Sequence, residues 1–170
     1  MERVGALALA ASGRLTVWVE RLCVVVLVLL VLDVWLGMLA RYVLPWRLTF
    51  TEELARYLMI WVALLAVSVG IGRRQHIGIL LFFDLFPRPL RKLLALAFDV
   101  IGLIFFGVLF YYGIGFVQQG FYQVTMIFGV PRAYPNLVIP ISAALACIQL
   151  VLLAIHDLFA RDVRPAAERT

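Results

Sequence analysis

Charge is scarce in this 170-residue chain: Asp, Glu, Lys and Arg make up 15% of it, and Lys92 is the single lysine among fifteen basic residues. Hydrophobic residues reach 65% and the mean hydropathy is +1.04. Soluble domains hold roughly 45–50% apolar residues, so this much apolar surface cannot be hidden from water and the chain is an integral membrane protein. Cysteine is down to two residues, Cys23 and Cys147, each inside an apolar run. Without a CxxC pair or a cysteine near a loop, a membrane thiol oxidoreductase is excluded. Basic residues do not interleave with aromatic ones, which removes nucleic acid as a partner. The net charge of +5 instead records membrane orientation. No nucleophile–base pair, metal-ligand cluster or phosphate loop is present, so the sequence supports neither catalysis nor a cofactor.

What remains is four apolar runs. A hydrocarbon core of ~30 Å needs about 20 helical residues, and Leu22–Leu44, Leu54–Ile71, Leu93–Val117 and Leu137–Ile155 qualify. A fifth stretch, Ile77–Phe86, is too short to cross and is closed by Pro87 and Pro89. It reads as an interfacial segment, or equally as a buried connector. The start, MERVGALALAASG, loosely resembles a signal peptide. Its apolar part is short, Glu2 stands beside Arg3 and a full span follows, so it reads as a cytoplasmic lead-in. Pro140 is expected to bend the last span. The expectation is one all-α, four-helix membrane domain over residues 1–170.

Basic residues orient the spans. Arg3, Arg14 and Arg21 before the first span, Arg73, Arg74, Arg88, Arg91 and Lys92 in the second connection, and Arg161, Arg164 and Arg169 in the tail all fall on one side. Against these eleven, the other side holds Arg41, Arg47, Arg56 and Arg132. Both termini are therefore expected to be cytoplasmic, and the stretch TEELARYLMIW, residues 51–61, starts on the outer face.

That stretch is charged where a membrane span begins. Thr49 and Glu52 have capping-box spacing, with Thr51 as an alternative N-cap, and Glu52 and Glu53 suit the positive end of the helix dipole. Arg56 lies within pairing distance of either glutamate along a helix, and a short loop brings Arg41 near them. Glu53, Tyr57, Ile60, Trp61 and Leu64 fall on one stripe, which serves either internal packing or docking. Two acids lie inside spans, Asp33 and Asp99. An ionised Asp at a helix centre costs about 2.5–3.5 kcal/mol on insertion scales, so each is neutral or faces a polar partner. Two isolated acids do not make a proton or ion pathway, and a structural or subunit-interface role is expected. His76 and His156 both fall at cytoplasmic helix ends, which leaves a bis-histidine haem geometrically open.

The run RYVLPWRLTFTEELARYLMIWVALLAVSVGIGRRQHIGI resembles the signature of the small membrane subunit of tripartite ATP-independent periplasmic (TRAP) transporters, the DctQ-type family. The positions that carry the likeness are Arg41, Tyr42, Glu52, Glu53, Leu54, Ala55, Arg56, Trp61, Arg73, Arg74, His76 and Ile77. GVPRAYPNLVIPISAAL is similar to the start of the family's fourth span. Two departures stand out: Leu80 occupies a place where members often carry Asp, with Asp84 only later, and the second span holds Leu65-Ala66-Val67-Ser68. The resemblance covers roughly residues 15 to 160. It implies a non-catalytic subunit of the bacterial inner membrane that scaffolds a large, elevator-type membrane subunit for sodium-coupled uptake of a carboxylate. Its implied partners are that large subunit, a periplasmic substrate-binding protein docking transiently at the outer face, and membrane lipids. The motif residues would then be fitted to neighbours rather than to substrate. The alternatives are a haem- or quinone-linked membrane anchor of a redox complex and a free-standing small transporter.

Overall fold

Nothing between Glu2 and Tyr42 breaks a helix: there is no proline, and leucine, alanine and valine dominate. The computed structural model, which describes residues 2–43, 49–73 and 88–159, accordingly carries one helix over this whole stretch, α1 (Glu2–Tyr42). Its 41 residues extend about 60 Å, twice the ~30 Å hydrocarbon thickness. The first span expected at 22–44 is thus the C-terminal part of a longer rod. The lead-in continues it because its Ala- and Leu-rich composition holds helix and its inward face is buried. The remaining helices are α2 (Phe50–Gly72), α3 (Arg88–Gly120), a single turn α4 (Ala133–Asn136) and α5 (Val138–Phe159). Among the described residues four helical stretches are long and apolar enough to cross a membrane: Gly5–Tyr42, Phe50–Gly72, Leu96–Gly120 and Ala133–His156. The spans expected at 54–71 and 93–117 lie within α2 and α3, and the one expected at 137–155 begins one residue before α5. The interfacial segment expected over 77–86 lies outside the described residues. Pro140 sits in the first turn of α5, where its missing N–H removes no helical bond.

Helix α5 is the core. It touches α1, α2 and α3, and 44% of its span is buried against 11–17% of the other three. It is also set well below α2. Trp61, in the middle of α2, donates from Nε1 to the Pro135 carbonyl at 3.0 Å, just before α5 begins. At the other end Gln149, midway along α5, lies against Gly72, where α2 ends. The offset explains the length of α1, which packs on both α2 and α5. A buried seam recurs every seven residues along it: Gly5, Ser12, Val19, Val26, Asp33 and Ala40. A seven-residue repeat keeps one face of a helix turned toward its neighbours.

Lipid tails are as apolar as leucine, so close packing and interhelical hydrogen bonds must hold such a bundle together. Both are present at the end where α2 stops. Ser12 Oγ donates to Gln149 Oε1 at 2.8 Å, Gln149 Nε2 donates to Thr16 Oγ1 at 3.1 Å, and Thr16 Oγ1 donates to the Ser12 carbonyl at 2.9 Å. A Cβ on Gly72 would overlap Thr16 Oγ1 and lie 2.8 Å from Gln149 Oε1, so glycine lets α2 approach this polar layer. Beyond it, Arg73 donates to Glu20 Oε1 at 2.6 Å, both side chains being exposed. Helix α3 meets α5 through Gly102, where a Cβ would lie 3.1 Å from Leu150, and Gly113, where it would lie 3.2 Å from Ile139. These glycines stand three turns apart on one face. Away from this contact Ile101, Ile104 and Phe105 are exposed.

Candidate functional site

Where α1 ends and α2 begins, the charged stretch does two different things. One face of α2 holds the connection between α3 and α4. Residues 121–132 fold back as a hairpin. Thr125 N donates to the Val130 carbonyl at 2.8 Å, Arg132 N to the Gln123 carbonyl at 2.8 Å, and Val124 bridges Pro131. The buried Thr125 hydroxyl accepts from Val130 N at 3.1 Å. Gly129 closes the turn at φ 63°, a left-handed conformation that glycine adopts without a Cβ clash. Glu53 clamps this hairpin to α2: Oε2 accepts from Ile127 N at 3.0 Å, and Oε1 accepts from the Tyr57 hydroxyl at 2.8 Å. The Phe50 and Phe128 rings meet with centroids 6.1 Å apart. With the Trp61–Pro135 bond, the stripe Glu53–Tyr57–Trp61 is an internal brace. Leu64 of the same stripe joins the packing around Val19, Leu65 and Val138, whereas Ile60 is exposed.

The helix-capping expectation is corrected. Thr49 is the N-cap by position, but it is helical (φ −72°, ψ −21°) and makes no side-chain cap bond. Thr51 does not cap either. It is a buried first-turn residue, and a Cβ on Gly37 of α1 would lie 2.9 Å from its Oγ1. Interhelical packing has taken the threonine that local chemistry offered as a cap.

The other side of the mouth is a cleft between α1 and α2 of about 480 Å³, lined by Asp33, Gly37, Arg41, Thr51 and Glu52 among others. Arg41 and Glu52 both line this cleft, and both are exposed. Asp33 is only 6% exposed, and its Oδ2 has no hydrogen-bond partner among the described residues. Tyr42 and Arg56 are exposed, and Arg73 is paired with Glu20 at the opposite end. Asp99 is half-buried on α3 and interacts with a neighbour. Arg74 and His76 lie outside the described residues, and so does any pairing of His76 with His156. The residues that sequence reasoning passed over are Ser12, Thr16, Gly72 and Gln149. Their signal was a polar side chain inside an apolar helical run, the same signal that singled out Asp33 and Asp99.

These features define a class: a multi-pass helical membrane protein in which the polar residues at the start of α2 fasten its own chain. Among the described residues no group of three or more His, Cys, Asp or Glu could hold a metal. Residues 27–160 match the family of the DctQ component of tripartite ATP-independent periplasmic transporters, and the chain belongs to that family. It is 29% identical over 104 residues to the isethionate TRAP transporter permease protein DctMQ of Oleidesulfovibrio alaskensis, an alignment covering 60% of this chain and 16% of that protein. To the sialic acid TRAP transporter small permease protein SiaQ of Vibrio cholerae it is 26% identical over 93 residues, 55% of this chain and 54% of that one. The chain therefore spans about half the length of one relative and a small part of the other.

Proposed function

We propose that this chain is the small, non-catalytic permease subunit of a TRAP transporter, and that it scaffolds a large elevator-type membrane subunit during sodium-coupled uptake of an organic acid. The observation that carries the reading is the family match across four spans. It is supported by the way the bundle spends its surface. The polar groups of the Glu53–Trp61 stripe are used up in fastening the outer hairpin, while α1 and α3 turn long apolar faces outward, Trp35, Ile104 and Phe105 among them. Such faces suit lipid and a neighbouring transmembrane body, and extra helices anchored in lipid resist tilting while another domain moves. The DctMQ relative favours a lateral membrane partner, since the matched stretch is a small part of a much longer permease. In this reading both termini are cytoplasmic and the hairpin faces the periplasm, where its exposed tip, Met126, would meet a substrate-binding protein. The family assignment favours transport over the redox-anchor alternative.

The test is uptake of a radiolabelled organic acid into proteoliposomes under an inward sodium gradient, with the cognate binding protein outside. Uptake is expected only when the large subunit and this chain are both present. Full uptake by the large subunit alone, or by this chain alone, contradicts the scaffold reading.

A further inference from the structure

Among the described residues four buried side-chain atoms have no hydrogen-bond partner, Asp33 Oδ2, Ser68 Oγ, Asp99 Oδ2 and Arg132 Nε, and of these residues only Asp33 lines the cleft between α1 and α2. Asp33 occupies a position of the buried α1 seam, in register with Val26 and Ala40. It faces α2 near the small step where Gly37 meets Thr51. The step opens about 480 Å³ of space; Asp33, more than nine-tenths buried, is among its lining residues, and its Oδ2, itself closed off from solvent, has no hydrogen-bond partner among the described residues. Among the described residues the charged groups lining the cleft are Asp33, Glu52 and Arg41. Arg41 lies eight residues along α1 from Asp33, about 12 Å, and sits exposed at the mouth beside Glu52. Two further lining residues, Val34 and Met38, are exposed, so the cleft opens sideways through an apolar rim.

We propose that this cleft receives a basic side chain, lysine or arginine, presented by a transmembrane helix of the large subunit, and that Asp33 is its counter-charge. The inference rests on the reading of the chain as a subunit of a larger permease. Three observations select this occupant. The unpaired group at depth is a carboxylate, so the complement is cationic. Asp33 lies nine residues, about 13 Å, along α1 from Tyr42 and inside the span Gly5–Tyr42. The sideways, apolar opening is the geometry of contact between transmembrane helices, and a charge in that setting is tolerated when it is paired. Glu52 and Arg41 at the mouth would sit at the polar edge of the same contact.

The pairing gives Asp33 opposite effects in the free and assembled chain, which a merely structural residue would not show. Asp33→Asn and Asp33→Glu are co-expressed with a tagged large subunit, and the amount of small chain recovered per large subunit is measured. The thermal midpoint of each purified small chain is measured separately in micelles, with and without phosphatidylethanolamine. The expected result is that Asp33→Asn lowers recovery about tenfold or more, as for truncating one member of a buried charge pair, and that Asp33→Glu recovers more than Asp33→Asn. The free Asp33→Asn chain should be as stable as wild type or more so. Undiminished recovery of Asp33→Asn would overturn the proposal. So would a free Asp33→Asn chain less stable than wild type, since that would reveal a partner within this chain. A midpoint raised by phosphatidylethanolamine in wild type but not in Asp33→Asn would assign the cleft to a lipid ammonium and also overturn it. Failure of the wild-type chain itself to be recovered with the large subunit would overturn the subunit reading, and this proposal with it.

Discussion

Ser12 and Asp33 stand on the same helix and the same buried seam, three heptads apart, yet their surroundings differ in kind. Ser12 belongs to a closed polar layer in which Gln149 and Thr16 complete one another's hydrogen bonds. Asp33 is among the residues lining a cleft, and its buried Oδ2 bonds to no described residue. A buried polar group left without a partner is costly, and one that is satisfied rigidifies the packing around it. The contrast separates two uses of polarity in a membrane bundle. The satisfied layer fastens this chain to itself, and the unsatisfied acid is a fitting for something outside it. The Glu53 brace falls with Ser12: in sequence its stripe reads as internal packing or docking alike, and in the fold Glu53 holds Ile127 N and the Tyr57 hydroxyl.

Breaking the closed layer should cost most. Gly72→Val drives a branched side chain into Thr16 and Gln149 and is expected to destabilise the chain by about 3 kcal/mol, the upper range for overpacking a tight site. Thermal unfolding in micelles checks it. Gln149→Leu removes two interhelical bonds while roughly keeping volume, and is expected to cost about 1–2 kcal/mol, read in the same assay. Glu53→Ala releases the hairpin rather than the bundle. The expected stability loss is about 1 kcal/mol, and the sharper readout is faster proteolytic cleavage within residues 121–132, with Glu53→Gln showing less. Arg73→Gln should change least, by at most about 1 kcal/mol, because an exposed ion pair gains little and is screened by salt. A loss that persisted in high salt would show that Glu20–Arg73 belongs with the closed layer.

The spans were legible because crossing a membrane demands about 20 apolar residues in a row, and few other folds do. The true extent of α1 was not, since a span was counted from the dense apolar run at Leu22, whereas a helix ends at a breaker and none precedes it. The Glu53–Tyr57–Trp61 stripe could be read from its four-residue spacing. What it grips could not, because Ile127 lies 74 residues away and no periodicity links the two. Thr49 and Thr51 had sound capping chemistry, and the tight meeting of Thr51 with Gly37 overrode it. Polarity inside apolar runs marked both Asp33 and Gln149, but whether each is satisfied depends on helices that meet only in the folded chain.

The most direct test compares thermal midpoints of Gln149→Leu and Asp33→Leu in the isolated chain, since both replace a buried polar residue of similar size by the same apolar one. The account predicts opposite signs: a lower midpoint for Gln149→Leu, which opens a completed layer, and an unchanged or higher one for Asp33→Leu, which removes an unpartnered carboxyl. If both midpoints fell by similar amounts, Asp33 would be held by its own chain, and the division between fastening and fitting would be wrong.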